Sequence, residues 1–529
     1  MDDLALWAEA LSGGKLLKRE SLERMTTPSK LSSGQSTKGG YGIQIFEEDG
    51  KRILAHGGGI PGFNTYLLSI PSERLQVVVL SNVAGHSPGP GGLGYRVAMK
   101  ALGKPVEDRK AMNLDPATLD EYTGLYRFDE TRSQSVFREG TKLFAQGTGG
   151  DRHEILAASR DDFFYRDLDP RIHFRRDAKG KVTGMDLQYS FGPADETGMK
   201  VDDPGLNLSF ADALASEDQL SGAVLVARNG KVLLQKAWGL ADREKGTSIT
   251  LDTQFRVGSM NKMFTSVATL QLVEAGKLSL DDPIGKYLPD YPNKDVATKV
   301  TVRHLLTHTG GTGDIFGPQF VKNRLALKEH GDYLKLYGSR GLTHEPGAQF
   351  EYSNYGFVLL GAIIEKVTGM SYYDYVRSRV FQPAGMTSTD SLPEAESVPN
   401  RAAGYMRGEG GWVPNTDTLP WRGTSAGGGY STVGDLLRFV QALESGKLIS
   451  KAMLAEATRQ NPRRYGYGFQ VFGEGRSRSY GHSGGAPGIN GDLRVFPELG
   501  YVVVGLANLD PPSVSRVVDS LALRIQVTQ

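Results

Sequence analysis

Cysteine is absent from all 529 residues. Disulfides and thiolate metal sites are therefore excluded, and the absence fits cytoplasm and periplasm alike. Charge of one sign is also lacking: 61 Lys and Arg face 60 Asp and Glu, a formal net charge of +1. Such a balance leaves no electrostatic footprint for nucleic acid or an anionic membrane surface. No apolar run approaches the roughly 18 residues that span a bilayer. The stretch Phe357–Ile364, for example, is ended by Glu365 and Lys366. The opening MDDLALWAEA lacks the basic n-region and long apolar core of a signal peptide. A periplasmic or secreted location would thus need a longer precursor, with the cytoplasm as the alternative.

What is present suits a folded protein, with 39% hydrophobic and 23% charged residues. A chain this long implies two to four domains. An internal repeat organises it. His56–Val83 aligns without gaps to His482–Leu509, with 12 of 28 positions identical. Upstream, YGIQIF at 41–46 matches YGFQVF at 467–472 in the same register. Further back, DLALWAEALSGGKLL from Asp3 matches DLLRFVQALESGKLI from Asp435. The first hundred residues read as a partial repeat, the C-terminal portion of a domain whose front half is missing. Such a segment is expected to expose unpaired strands (YLLSI, QVVVLSN) and to favour a homo-oligomer that covers them.

Between the copies, GLYRF, SVFRE, KLFAQG, DDFFYRD, IHFRRD and VTGMDLQYS read as short strands separated by turns. This pattern predicts a small antiparallel barrel or sandwich. No ligand-binding residue stands out in it, which favours a structural or substrate-shaping module. From about Leu206 a full α+β domain is expected. Ala223–Ala237 is a hairpin with Asn229-Gly230 as its turn. Helices dominate from Ser259 to about Gly446, strands return at YGFQVF, GDLRVF and YVVVGLA, and a helix closes the chain over Ser513–Gln526. One antiparallel sheet built from both ends of the domain would pack against helices. The expected domains are 1–106, 115–198 and 206–529.

Three short motifs carry chemistry. Ser259-Met260-Asn261-Lys262 has the form S-x-x-K. Met260, Met263, Phe264, Val267, Leu270 and Val273 recur at helical spacing, and Gly276 offers a stop. Ser259 then opens a helix with Lys262 one turn on, placing an amine within reach of a hydroxyl. Unpaired amides there favour developing negative charge. Ser12-Gly13-Gly14-Lys15 matches the pattern by chance, where a helix ends at glycines. Tyr352-Ser353-Asn354 follows the Pro346-Gly347 turn and precedes a strongly apolar helix, whereas Tyr291-Pro292-Asn293 is its chance counterpart. His482-Ser483-Gly484-Gly485 precedes the last strand pair, and its glycines let a backbone amide approach an oxyanion; the alternative is a glycine-rich turn with a surface histidine.

Each motif is weak by itself, but their order and spacing within 206–529 resemble the serine β-lactamase, penicillin-binding-protein, esterase and D-aminopeptidase superfamily. HLLTHTGG at 304–311 and GTSAGGGYSTVGDLLRF at 423–439 look like further signatures. The resemblance implies an antiparallel sheet of five or more strands flanked by helices, an all-helical lobe, and a site in the cleft. The middle segment resembles the lipocalin-like modules of some family members. By the same resemblance Ser259 is the nucleophile of an acyl-enzyme, and Lys262 and Tyr352 share proton transfer. The amides of Ser259 and Gly485 form an oxyanion hole, Asn354 orients substrate or Lys262, and His482 and Gly484 line the substrate site. No metal or organic cofactor is required. The expected substrate is a small-molecule ester, peptide or amide. A receptor that acylates with little turnover, or a β-lactamase, is the alternative. Many penicillin-recognising relatives carry lysine at the His482 position, a fixed cation for a substrate carboxylate. Histidine, with an ordinary pKa near 6.5, is not one at neutral pH.

Overall fold

Residues 1–31, 37, 39–83, 89–104, 110–166, 168, 170–188 and 196–528 are described by a computed structural model. The expected boundaries at 106 and 529, and residues 167, 189 and 190 of the expected barrel strands, lie outside the described residues. The chain separates between Pro204 and Gly205 into two units.

In the unit 205–528 six antiparallel strands form one sheet. Their order is Lys231–Trp238, Gly222–Arg228, Tyr501–Ala507, Ile489–Phe496, Ser479–Ala486 and Gln470–Phe472. The two ends of the domain meet at one seam, where Gly222 pairs with Ala507 and Arg228 with Tyr501. The Asn229-Gly230 turn has φ of 49° and 78°, the left-handed pair that a tight two-residue hairpin demands. The central strands of the sheet are buried on both faces. Ala223, Leu225, Val504 and Leu506 belong to the core shared with the helical lobe. Val224, Val226, Val503 and Ala507 pack with Val514, Val518 and Leu521 of the closing helix Ser513–Val527. Two-sided burial is why AVLVA and YVVVGLA are unbroken apolar runs rather than alternating ones.

The helix Asn261–Glu274 follows a single tight turn, Gly258–Met260. It is the axis of the lobe. The expected apolar stripe is buried except for the half-buried Val273, and so are Asn261, Lys262, Thr265, Ser266 and Thr269 on its other sides. Phe264 meets Phe381 and Phe439 edge-on, with ring centres 5.1 and 4.9 Å apart. A helix enclosed on every side must give each polar group a partner. Thr265 accordingly donates to the Ser425 carbonyl, and Asn261 to the Thr424 carbonyl.

In the unit 1–204, the strands Gln44–Glu48, Lys51–Ile60, Phe63–Ile70 and Leu75–Ser81 form a four-stranded antiparallel meander. Eight further strands between Gly124 and Lys200 close into a barrel. Two of these, Arg152–Ala157 and Glu196–Lys200, carry so much polar sequence that alternation alone does not reveal them. Tyr122, Tyr126, Phe163 and Phe174 fill the barrel core, Tyr122 lying 4.8 Å from Phe163 and Phe163 5.2 Å from Phe174. An eight-stranded barrel is just wide enough for its side chains to fill it. No helix among the described residues is long and apolar enough to cross a membrane.

Candidate active site

Three distant segments converge on Ser259. The tight turn leaves Ser259 half-buried, and Gly258 takes φ of 53°, so the chain changes direction immediately before the hydroxyl. Lys262, one turn further on, is completely buried. Its Nζ lies 3.2 Å from Ser259 Oγ and 2.7 Å from Asn354 Oδ1, and also donates to the Ala426 carbonyl. Nζ sits 4.8 Å from the centre of the Tyr352 ring. Burial pushes the lysine pKa down to about 7, opposed by the Asp314 carboxylate. Tyr352 moves the other way: burial pushes it up to about 12, opposed by its interaction with the Ser259 hydroxyl.

Tyr352 and Asn354 flank Ser353, which caps the helix Asn354–Thr368 by accepting from the Gly356 amide. Capping explains why a polar triplet sits directly before an apolar helix. The chance matches behave as expected. Ser12 Oγ bonds back to the Ala8 carbonyl at 2.8 Å. Tyr291 bonds to Tyr355, and Asn293 caps the helix Lys294–Lys299.

For the H-x-G motif the alternative of a glycine-rich turn with a surface histidine does not hold. His482–Gly485 is not a turn but the middle of the strand Ser479–Ala486. Its glycines hide strand propensity, and Gly484 is required by close approach. A Cβ on Gly484 would stand 2.0 Å from the Val257 carbonyl oxygen, and one on Gly258 3.3 Å from the Gly485 nitrogen. The turn carrying Ser259 thus lies directly against this strand, with Gly485 exposed beside it. His482 is 2% exposed, and protein groups occupy both its ring nitrogens. The Ser483 carbonyl, 2.6 Å away, can only accept, so Nδ1 carries the proton. Nε2 then accepts from the Tyr465 hydroxyl at 2.9 Å. This arrangement needs a neutral ring, and burial next to Lys262 pushes the His482 pKa down to about 3. His482, expected at the substrate site, has its ring buried against Tyr465 with both ring nitrogens bonded to protein groups.

Four participants are not evident from sequence. His308, 1% exposed, accepts from the Ser353 amide through Nδ1 and stacks 4.2 Å from the Tyr352 ring. Tyr465 contacts His308, Tyr352 and His482. Asp314 binds Asn354, and Ala426 offers its carbonyl to Lys262. His308 and Ala426 fall in the two signature stretches, a signal without a role, whereas Tyr465 and Asp314 carry no motif. A pocket of about 310 Å³, lined among others by Arg303, His304, Arg459 and Arg463, also includes Tyr465.

The chain is similar to several known proteins. A family model described as Beta-lactamase matches residues 1–98 and 207–528, and one described as a domain of unknown function (DUF3471) matches 108–202. Esterase EstB of Burkholderia gladioli is 32% identical over 308 residues, covering 52% of this chain and 78% of that protein. A penicillin-binding protein from Bacillus halodurans superimposes with a TM-score of 0.54 at 31% identity, over 59% of this chain and 99% of that one. D-amino acid amidase from Ochrobactrum anthropi SV3 gives a TM-score of 0.51 at 27% identity, over 59% and 96%. The chain belongs to the Beta-lactamase family. Within that family it is a serine hydrolase.

Proposed function

We propose that Ser259 attacks the carbonyl of a small ester or amide and forms an acyl-enzyme that water hydrolyses. One observation carries this reading: the buried amine of Lys262 lies 3.2 Å from Ser259 Oγ with its pKa lowered to about 7. An ordinary lysine is protonated at neutral pH and cannot accept a proton, whereas burial of this one favours its neutral form. Lys262 takes the serine proton. Tyr352 keeps its own proton at neutral pH and serves as the hydroxyl through which a proton reaches the leaving group. The amides of Ser259 and Gly485, on two segments in backbone contact, receive the developing oxyanion.

Substrate class follows from charge. A neutral, buried His482 offers no cation to a β-lactam carboxylate, which favours uncharged acyl esters and aminoacyl amides over penicillins. EstB and D-amino acid amidase, by their names, represent those two chemistries among the relatives. A panel of p-nitrophenyl acyl esters, D- and L-aminoacyl anilides and a chromogenic cephalosporin tests the reading. A cephalosporin kcat/KM above that of every ester and amide would overturn it. Self-association also belongs to this proposal. Leu80 on the last strand of the meander and Val83 just beyond it are exposed, and sedimentation at several concentrations would reveal an oligomer that covers them.

A further inference from the structure

A neutral lysine amine has two N–H bonds and one lone pair. At Lys262 two acceptors that cannot donate, Asn354 Oδ1 and the Ala426 carbonyl, take the two N–H bonds. The lone pair is left facing Ser259 Oγ, the geometry a base needs. That assignment depends on which end of the Asn354 amide faces the lysine. Turned over, the amide would present N–H to N–H and the amine would lose its aim.

Asp314 decides the matter. Its Oδ2 accepts from Asn354 Nδ2 at 3.1 Å, and its Oδ1 accepts from the Asn354 backbone amide at 3.0 Å. A carboxylate only accepts, so the NH2 end is held on Asp314 and Oδ1 is held towards Lys262. The loop carrying Asp314 is itself pinned. Arg340 donates to the carbonyls of Asp314 and Thr312, and Ser353 donates to that of Gly313. We propose that Asp314 is a positioning residue for catalysis, which orients the Asn354 amide and thereby directs the Lys262 lone pair at Ser259. This inference rests on the hydrolase reading above and adds to it a residue outside all three motifs.

Asp314 also acts by charge. The groups facing Lys262 are Tyr352 and Phe357 from one segment, His308 and His482 from two others, and Asp314. Asp314 favours the protonated lysine, so its removal moves deprotonation to lower pH.

The test uses the full chain and the rate at which a fluorophosphonate labels Ser259 between pH 5 and 9. It compares wild type, Asp314→Asn and Asp314→Ala, with Ser259→Ala as the blank and a melting temperature for each. Wild-type labelling should rise through about pH 7. Asp314→Ala should slow it by about ten- to a hundredfold, the usual effect of a misdirected catalytic group. In both variants the rising limb should shift to lower pH. A mere helix cap would lower the melting temperature and leave that midpoint in place. Should Asp314→Ala fail to fold, the isosteric Asp314→Asn decides by its midpoint. Variant labelling within twofold of wild type, with an unmoved midpoint, overturns the inference alone. A wild type labelled no faster than Ser259→Ala overturns the hydrolase reading instead.

Discussion

His56 and His482 hold the same place in two strand meanders of the same register. His56 pairs with Leu67 and Gly59 with Asn64, just as His482 pairs with Leu493 and Gly485 with Asn490. The agreement extends to the neighbouring strands, where Asn64 pairs with Ser81 and Asn490 with Ala507. Yet His56 is exposed, while His482 is buried and held neutral between Tyr465 and Ser483. The position aligned with Tyr465 is Gly39. The same contrast holds for the core. Trp7 and Leu80 are 44% and 49% exposed, and their aligned residues Phe439 and Leu506 are fully buried. Phe439 packs on Phe264, and the strand bearing Leu506 pairs with Gly222–Arg228. Leu75–Ser81 is instead the edge of its four-stranded sheet. A strand meander with the right residues is thus not a site. The chemistry comes from what is packed upon it.

The largest expected effect breaks the comparison at its centre. Ser259→Ala should reduce turnover by about 10⁴–10⁶-fold and abolish fluorophosphonate labelling, while Ser12→Ala in the other S-x-x-K changes neither. Labelling that survives in Ser259→Ala would remove Ser259 as nucleophile. Next, Lys262→Ala and Tyr352→Phe should each lower kcat by about 10²–10⁴-fold. The double variant should lose far less than the product, because the two act on one proton path. Full multiplicativity, measured in the same assay, would separate them.

Protonation sharpens the contrast further. The kcat/KM of wild type should rise through about pH 7 as Lys262 loses its proton, with no contribution from Tyr352 until far above that range. The same shift predicts stability. Lys262 falls from an ordinary 10.5 to about 7 on folding, so the unfolded chain binds more protons between those values, and stability rises with pH across that window. Lys262→Met should flatten this slope and raise Tm at pH 7, read by thermal melts from pH 6 to 10. A steeper slope in the variant would contradict the assignment.

The smallest effect is expected from removing the other side of the comparison. All residues assigned to the site lie between Ser259 and Gly485, within the unit 205–528. Deleting residues 1–110 should leave specific activity within about twofold and improve solubility by removing an exposed strand edge. Lost activity with 206–529 still folded by circular dichroism would show that the segment contributes to catalysis.

Much of this was legible in the chain. Helical spacing after Ser259, the Asn229-Gly230 turn, the apolar runs at both ends of the domain and the three ordered motifs are local patterns. Local sterics, capping and periodicity translate such patterns into elements directly. The strand at His482–Gly485 was not legible, because glycine is chosen there for backbone approach to Val257 rather than for strand propensity. Nor were Asp314 and Tyr465, which act through partners dozens of residues or more away in the chain. Tertiary structure alone decided that Lys262 is buried with its pKa lowered, that His482 is neutral, and that the Asn354 amide faces the lysine with its oxygen. Protonation and hydrogen-bond direction depend on desolvation and on nearby charges and acceptors, and those are supplied by residues that only folding brings together.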